Sequence, residues 1–229
     1  MIINSFVYTS GGIPSDLLVS FEGADESTTF TDLSPSPGTL TGGGGAKIDT
    51  AIYPNGALLL NGTSSGSRVT SSKVAAVGTG AFTLESYIRP TLDQYGRIIS
   101  AQDSGTPNAL LQFRVNPGGS VTGWIRSSAG TGSTVITSSS GLVQMDGSAE
   151  YHVAFTRDGS GNMNLWLDGV SVASGTATTN PDASRPYYIG AFDNTQERFA
   201  GNIRWVRVTE GVCRYESSFT PPSIPYPIE

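Results

Sequence analysis

The segment from Tyr151 to Gly169, YHVAFTRDGSGNMNLWLDG, contains two runs in which apolar and polar residues alternate. Strand side chains alternate with a period of two, so each run presents one apolar face. Asp-Gly pairs at 158–159 and 168–169 tolerate the positive φ that tight turns need. The pattern predicts a β-hairpin, and a hairpin needs further strands to cover its apolar face.

Short runs of the same kind recur along the chain between Gly, Pro, Asn and Asp residues. With 29 Gly and 13 Pro among 229 residues, the composition is typical of many short strands joined by tight turns. Besides the hairpin, we predict strands at 17–21, 57–60, 67–70, 82–89, 97–100, 110–115, 121–126, 134–137, 171–173, 187–191 and 203–209. The Pro- and Gly-rich stretch 34–46 is expected to be irregular. We therefore expect an all-β sandwich of two antiparallel sheets.

The expected organisation is an N-terminal arm, residues 1–14, followed by one domain, residues 15–229, that ends in a proline-rich tail. The net charge of −6 argues against nucleic acid and anionic membranes as partners, because both require clustered cations. Cys213 is the single cysteine and excludes an internal disulfide. The N-terminus lacks a basic region and a long apolar stretch, so we expect synthesis in the cytoplasm without a Sec signal.

Five segments together resemble laminin G-like domains of the concanavalin A-like lectin/glucanase superfamily. They are LLVSFEGADESTTFTDLS, FTLESYIRP, YHVAFTRDGSGNMNLWLDGVSVASGT, RPYYIGA and GNIRWVRVTEGVCRYESSFTPPSIPYP. The resemblance spans roughly residues 15–227 and is greatest to the branch common in bacteriophage and prophage virion proteins. It implies a concanavalin A-like jelly-roll sandwich.

The same resemblance implies a bacteriophage virion structural protein, located on the virion and bound to other capsid or tail proteins. Two hypotheses stay open. In one, the chain is an accessory or decoration protein docked by its arm and tail. In the other, it is a tail-fibre or receptor-binding adhesin that engages host-surface glycans. Homo-oligomerisation is a further implication of the resemblance.

A third alternative, a glycoside hydrolase, finds little support in the residues. Glucanases of the superfamily carry a Glu-x-Asp-x-x-Glu pattern on one strand, and this spacing is absent. Glu85 is the only acid in the strand 82–89. His152 is the only histidine and has no Ser or Asp pattern beside it to form a relay. We therefore expect no catalytic residues and no enzyme activity.

The acidic loop 22–32 raises the question of a metal. Asp25 and Asp32 could offer hard oxygen ligands to calcium, the one cofactor that the sequence suggests. The alternative is a solvated loop in which aspartate side chains cap turns.

The residues opposite each strand's apolar set include all three tryptophans and several arginines. We expect these residues to share one sheet face. A face on which aromatic rings alternate with planar polar groups suits a sugar, and it suits a protein interface equally well. The alternative is that these side chains brace the outside of the sandwich or lie under covering loops. The candidate glycan- or protein-binding residues are Tyr87, Arg89, Arg114, Trp124, Arg126, His152, Trp166, Trp205 and Arg207.

Overall fold

The computed structural model describes residues 15–63, 67–102, 109–127, 132–181, 185–191 and 197–226. Within these ranges the chain forms 16 β-strands and no helix. The expected arm, residues 1–14, lies outside them. The strands are β1 Leu17–Ser20, β2 Thr31–Asp32, β3 Leu40–Gly43, β4 Lys47–Asp49, β5 Ala57–Asn61, β6 Arg68–Ala75, β7 Phe82–Pro90, β8 Gly96–Gln102, β9 Ala109–Asn116, β10 Ser120–Arg126, β11 Ser133–Thr137, β12 Tyr151–Arg157, β13 Asn162–Leu167, β14 Val170–Thr176, β15 Arg185–Ile189 and β16 Ala200–Glu210.

The strands form two antiparallel sheets, which confirms the expected all-β jelly-roll sandwich. The nine-stranded sheet has the order β14-β13-β12-β7-β16-β1-β2, and β5, which also pairs with β4, adds to β16. The seven-stranded sheet has the order β11-β10-β9-β8-β15-β6-β3. Within the part of the chain described, no helix has the length and apolarity for a membrane crossing.

The core lies between the sheets and follows from the alternation of each strand. Leu84 on β7, Phe155 on β12 and Val206 on β16 point inward from the nine-stranded sheet and are fully buried. Phe113 on β9 and Ile125 on β10 point inward from the other sheet. Burying an aliphatic or aromatic side chain of this size contributes roughly 1.5–3 kcal/mol, so the core is the main source of stability.

The two sheets come into close contact at Gly123 on β10. A Cβ atom at this position would lie 2.7 Å from two carbon atoms of the Phe155 ring. The same ring packs edge-on against Phe82, with ring centroids 5.1 Å apart. Gly123 therefore gives Phe155 the space that it occupies in the core.

The stretch predicted to be irregular contains a strand, so that prediction is wrong for part of it. Residues Leu40–Gly43 form β3 and pair with β6 at the edge of the seven-stranded sheet. A Cβ atom at Gly42 would lie 2.6 Å from the Phe30 ring. Glycine is needed at this point for close packing inside a strand, and no alternating pattern marks the strand.

The turn between β13 and β14 has the predicted Asp-Gly chemistry. Asp168 and Gly169 have φ angles of 48° and 81°, as a two-residue type I′ hairpin loop requires. The loop before β13 is different, because Gly161, with φ 87°, takes the positive φ there. Asp158 acts instead as a cap, and its Oδ1 accepts hydrogen bonds from the main-chain N–H groups of Ser160 and Asn162 at 2.8 Å each.

Gly123→Ala is expected to destabilise the fold by about 1–3 kcal/mol, because the added methyl group must displace a buried ring. Gly159→Ala is the matched control, since a Cβ atom there meets no other atom within 4 Å. Urea unfolding of the two variants and the parent protein measures the difference. Equal losses in both variants would contradict the packing role assigned to Gly123.

Candidate functional site

The sequence-predicted binding residues do not form one surface. Their side chains point away from the core as expected, but they belong to the outer faces of two different sheets. The seven-stranded sheet carries Arg114, Trp124 and Arg126. On the nine-stranded sheet are Tyr87, Arg89, His152, Trp166, Trp205 and Arg207. The expectation of a single face is therefore wrong, because strand alternation indicates the face of a strand but not the sheet that contains it.

The C-terminal segment, residues 211–226, covers the outer face of the nine-stranded sheet. Tyr215 and Phe219 in this segment stack on each other with ring centroids 3.6 Å apart. Phe219 packs on Trp166, and Tyr226 packs on Trp205, at centroid distances of 5.5 and 5.9 Å. Both tryptophans are consequently buried.

His152 and Arg207 are also buried beneath this segment, at 1% and 3% exposure. The structure therefore agrees with the alternative hypothesis for four residues, namely that their side chains lie under a covering segment. These residues are His152, Trp166, Trp205 and Arg207. A binding role on an accessible surface does not fit these four residues, since the chain's own tail occupies the place of a partner.

A buried ion pair lies at the centre of the covered face. Glu85 and Arg207 are direct cross-strand neighbours, and the Arg207 Nε donates to Glu85 Oε1 at 2.6 Å. The Tyr215 hydroxyl donates to Glu85 Oε2 at 2.7 Å, and His152 Nε2 lies 3.0 Å from the same oxygen. Burial alone would raise the pKa of Glu85, but Arg207 and the hydrogen bond with His152 outweigh it and lower this pKa to about 2.

Main-chain contacts hold the C-terminal segment in place. The Tyr87 hydroxyl donates to the Pro222 carbonyl at 2.6 Å. The pKa of Tyr87 is raised to about 12, mainly by burial. The Phe219 N–H donates to the Gly169 carbonyl at 3.0 Å. A Cβ atom at Gly169 would lie only 1.8 Å from the Phe219 carbonyl oxygen, so the segment and the β13–β14 turn fit together closely.

The outer face of the seven-stranded sheet, called the seven-strand face below, carries a continuous row of cross-strand neighbours. The row runs through Tyr188, Ser100, Gln112, Trp124 and Val135, one residue from each of five adjacent strands. Adjacent strands lie about 4.8 Å apart, so Tyr188 and Trp124 are separated by about 14 Å. Ser100 and Gln112 are buried, whereas Trp124 is partly exposed and Val135 is 48% exposed. The centre of this row is therefore polar and buried, and the end on β10 and β11 is apolar and partly exposed.

Four polar atoms on the seven-strand face are buried and have no hydrogen-bond partner among the described residues. They are Ser100 Oγ, Arg114 Nε, Asn116 Oδ1 and Trp124 Nε1. Buried polar atoms are nearly always satisfied in folded proteins, and each exception calls for an explanation. The covered face has such atoms too, among them His152 Nδ1 and Trp205 Nε1, but on the seven-strand face they lie beside the partly exposed Trp124.

Sequence reasoning missed Glu197, which contributes a carboxylate to the same face. Its Oε2 accepts hydrogen bonds from Arg97 Nε and Gln112 Nε2 at 2.6 Å each, and its Oε1 accepts one from Arg114. Tyr95 lies beside this cluster, with the Arg114 guanidinium 4.9 Å from its ring centroid.

Glu197 lies outside every strand, so the alternation of apolar and polar residues could not reveal it. The one available signal was the pair of outward-facing arginines, which need a counterion. Glu197 also borders a cleft of about 250 Å³, which is lined by Gly62, Gln94, Tyr95, Glu197 and Arg198.

The remaining predicted residues have simpler surroundings. Arg89 and Arg126 lie near the ends of β7 and β10 and are partly buried. Asp32 caps a loop, because its carboxylate accepts main-chain N–H bonds from Leu18, Ser34 and Gly38 at 2.6–3.2 Å.

Asp25 bonds to a different segment and accepts the N–H of Thr50 at 3.0 Å. Among the described residues, no group of three or more His, Cys, Asp or Glu side chains is arranged to hold a metal. Calcium in the loop 22–32 stays a prediction, and the capping by Asp32 favours the alternative of a structural loop.

The two sheets form a β-sandwich in which the C-terminal segment covers one outer face, while the other outer face carries polar and aromatic groups. Residues 61–214, more than half of the chain, match the Laminin_G_3 family of the concanavalin A-like lectin/glucanases superfamily. The chain belongs to this superfamily. No curated protein sequence matches it significantly.

Solved structures support the fold. The binding domain of botulinum neurotoxin serotype G superposes with a TM-score of 0.64 at 16% identity over 87% of this chain and 48% of that one. The binding domain of Paraclostridial Mosquitocidal Protein 1 gives 0.65 at 14% identity over 90% and 49%. Domain 4 of AbnA, an extracellular arabinanase of Geobacillus stearothermophilus, in complex with arabinotriose, gives 0.61 at 20% identity over 87% and 93%.

This chain spans about half the length of the toxin domains that it matches and nearly all of the arabinanase domain. At these identities the likeness shows the fold.

Glu85→Gln is expected to lower the free energy of unfolding at pH 7 by roughly 3–5 kcal/mol, because Arg207 stays buried without a counter-charge. The folded pKa of Glu85 is depressed from 4.5 to about 2, so its stabilising effect is present above about pH 4.5 and is lost as the pH falls towards 2. Urea unfolding followed by tryptophan fluorescence between pH 7 and pH 2 should show a weaker pH dependence in the variant.

Glu26→Gln is the control, because the Glu26 side chain is exposed and pairs with Lys47. It should leave both the stability at pH 7 and the pH dependence nearly unchanged. Parallel curves for Glu85→Gln and the parent protein would show that the buried ion pair does not cause the acid sensitivity.

Proposed function

We propose that this protein is a non-enzymatic, lectin-like binding module that holds glycans on the seven-strand face. The observation that carries the proposal is the set of unpartnered polar atoms, Ser100 Oγ, Trp124 Nε1 and Arg114 Nε, around a partly exposed indole. A partner with many hydroxyl groups would satisfy these atoms.

The chemistry of the face matches that of a sugar. A pyranose or furanose ring has an apolar side that can pack on the Trp124 ring, and its hydroxyl groups can both donate and accept hydrogen bonds. Ser100 can accept or donate, and the Trp124 and Arg114 nitrogens can donate. The accessible end of the row is at β10 and β11, where Trp124 is partly exposed and Val135 is 48% exposed.

The similar structures support a glycan as the partner class. Domain 4 of the arabinanase was solved in complex with arabinotriose, and this chain covers 93% of that domain. The toxin proteins that share the fold are described as binding domains. These likenesses extend to the fold, so the ligand class for this chain is the proposal.

The non-enzymatic part of the proposal is supported by the surroundings of Glu85. Glu85 is the one acid on β7, which lacks the paired carboxylates that glucanases of the superfamily carry on one strand. In this protein it is fully buried and bonded to Arg207, His152 and Tyr215. A carboxylate held in this way cannot approach a glycosidic bond.

We further propose that the module works on a bacteriophage virion, as an accessory or attachment protein bound to capsid or tail neighbours. The support is the resemblance of residues 201–227 to virion proteins of phages and prophages. The C-terminal segment covers the chain's own sheet up to residue 226, so the seven-strand face is the surface proposed to meet a glycan.

Trp124→Ala is expected to weaken glycan binding at least tenfold, because it removes both the stacking ring and the indole N–H. A glycan array identifies ligands for the parent protein, and calorimetric titration with the best of them, beside arabinotriose, measures the affinity. Val170→Ala on β14, whose side chain is 58% exposed on the other sheet, should bind as the parent does.

Trp166→Phe is a second control, because Trp166 lies under the C-terminal segment and bonds to Thr156 rather than to a ligand. It should reduce stability and leave the affinity of the folded protein unchanged. Unaltered binding by Trp124→Ala, or a parent protein that binds no glycan on the array, would refute the proposed function.

The virion setting has its own test, in particles purified from the phage that encodes this chain. Mass spectrometry should detect the protein at a constant ratio to the major capsid protein through a density gradient. The Trp124→Ala variant should be incorporated normally, since its change affects the glycan face. Absence of the protein from purified particles would rule out the virion setting and leave the binding module intact.

A further inference from the structure

We propose that Arg97, Gln112 and Arg114 form a binding site for the carboxylate of an acidic sugar, such as a hexuronate. In the structure Glu197 occupies this site with its own side chain. The proposal rests on the glycan-binding function above and names the class of sugar that the seven-strand face selects.

The geometry of the cluster is that of a carboxylate receptor. Each oxygen of Glu197 is bonded to a different arginine, and Gln112 adds a second donor to Oε2 at 2.6 Å. Arg97 is itself oriented by Gln102, whose Oε1 accepts from Arg97 Nη1 at 2.7 Å. Two guanidinium groups held in this way can each bond one oxygen of a carboxylate from any source.

Glu197 is well placed to leave the site. Its side chain is 22% exposed, whereas the Arg97 side chain is 5% exposed. Its φ angle is 50°, a left-handed conformation that is uncommon for a residue with a side chain. It also borders the cleft of about 250 Å³, so an external carboxylate can approach the same donors from the side of Tyr95.

The donors are not saturated by Glu197. Arg114 Nε is buried and has no partner among the described residues, so the site can bond one more oxygen than Glu197 supplies. A sugar carboxylate brings a ring oxygen and hydroxyl groups with it, and one of these can accept the Arg114 Nε–H. Trp124 is the direct cross-strand neighbour of Gln112, so the next sugar unit of a chain would lie against the indole.

Exchange of one carboxylate for another avoids the main cost of opening a salt bridge. The two guanidiniums stay paired throughout, and Glu197 regains solvent. The tethered Glu197 competes at an effective concentration on the order of millimolar or above, so a free uronate should bind the parent protein weakly. Removal of the Glu197 carboxylate should therefore increase the affinity for acidic sugars.

The test uses Glu197→Ala in the full chain, with sodium glucuronate as the probe and sodium chloride at equal ionic strength and glucose as controls. The variant leaves Arg97 and Arg114 without their counter-charge, so its melting temperature should be lower than that of the parent. Glucuronate should restore it in a saturable manner, with an apparent Kd at least tenfold lower than for the parent. Glucose and sodium chloride should not.

A response to glucuronate no larger than that to sodium chloride would overturn the proposal and make Glu197 a fixed structural counterion. If Glu197→Ala does not fold, Glu197→Gln replaces it, because the amide keeps the shape and removes the charge, and the same tenfold gain is expected. Adding Arg114→Ala to either variant should abolish the gain, and its persistence would likewise overturn the assignment.

This result is independent of the neutral-glycan test at Trp124. Neutral sugars that bind while glucuronate fails would overturn the acidic site and leave the proposed function standing. Glucuronate rescue with a blank glycan array would support the carboxylate site and refute the broader function.

Discussion

The covered outer face of the nine-stranded sheet depends on the buried pair of Glu85 and Arg207. An ion pair on a sheet face is tolerable only when it is fully bonded, because an isolated buried charge costs several kcal/mol. The C-terminal segment meets this need, as Tyr215 donates to Glu85 and the Tyr226 ring lies 4.4 Å from the Arg207 guanidinium. The segment thus covers the centre of the outer face of the nine-stranded sheet.

Trp166 and Trp124 consequently have different surroundings on the two sheets. Trp166 has its indole N–H bonded to Thr156 and its ring packed on Phe219, so both its polar and its apolar parts are satisfied within the chain. Trp124 is partly exposed, and its indole N–H has no partner in the described residues. The difference lies in what covers each ring, and residue type alone cannot show it.

Sequence periodicity was sufficient for most of the strands, β2, β3 and β4 excepted, and for the direction of the tryptophans. The hairpin at 151–167 and the Asp168-Gly169 turn after it follow from local residue chemistry. The covering of Trp205 by Tyr226 is a tertiary contact between β16 and the C-terminal segment. The alternation of residues within one strand cannot predict such a contact. β3 was missed for a related reason, because Gly42 serves the packing of Phe30 rather than an alternation.

The buried arginines on the two outer faces are neutralised by carboxylates in different structural settings. Arg207 is paired with Glu85 from the adjacent strand, and both side chains are buried under the C-terminal segment. Arg97 and Arg114 are paired with Glu197, which belongs to no strand. The Glu197 carbonyl also accepts the Arg97 N–H at 3.0 Å, so rotation of the side chain alone would leave this main-chain bond in place. Our proposal of an acidic-sugar site rests on this difference, because the Glu197 side chain is partly exposed and lies beside the unpartnered Arg114 Nε.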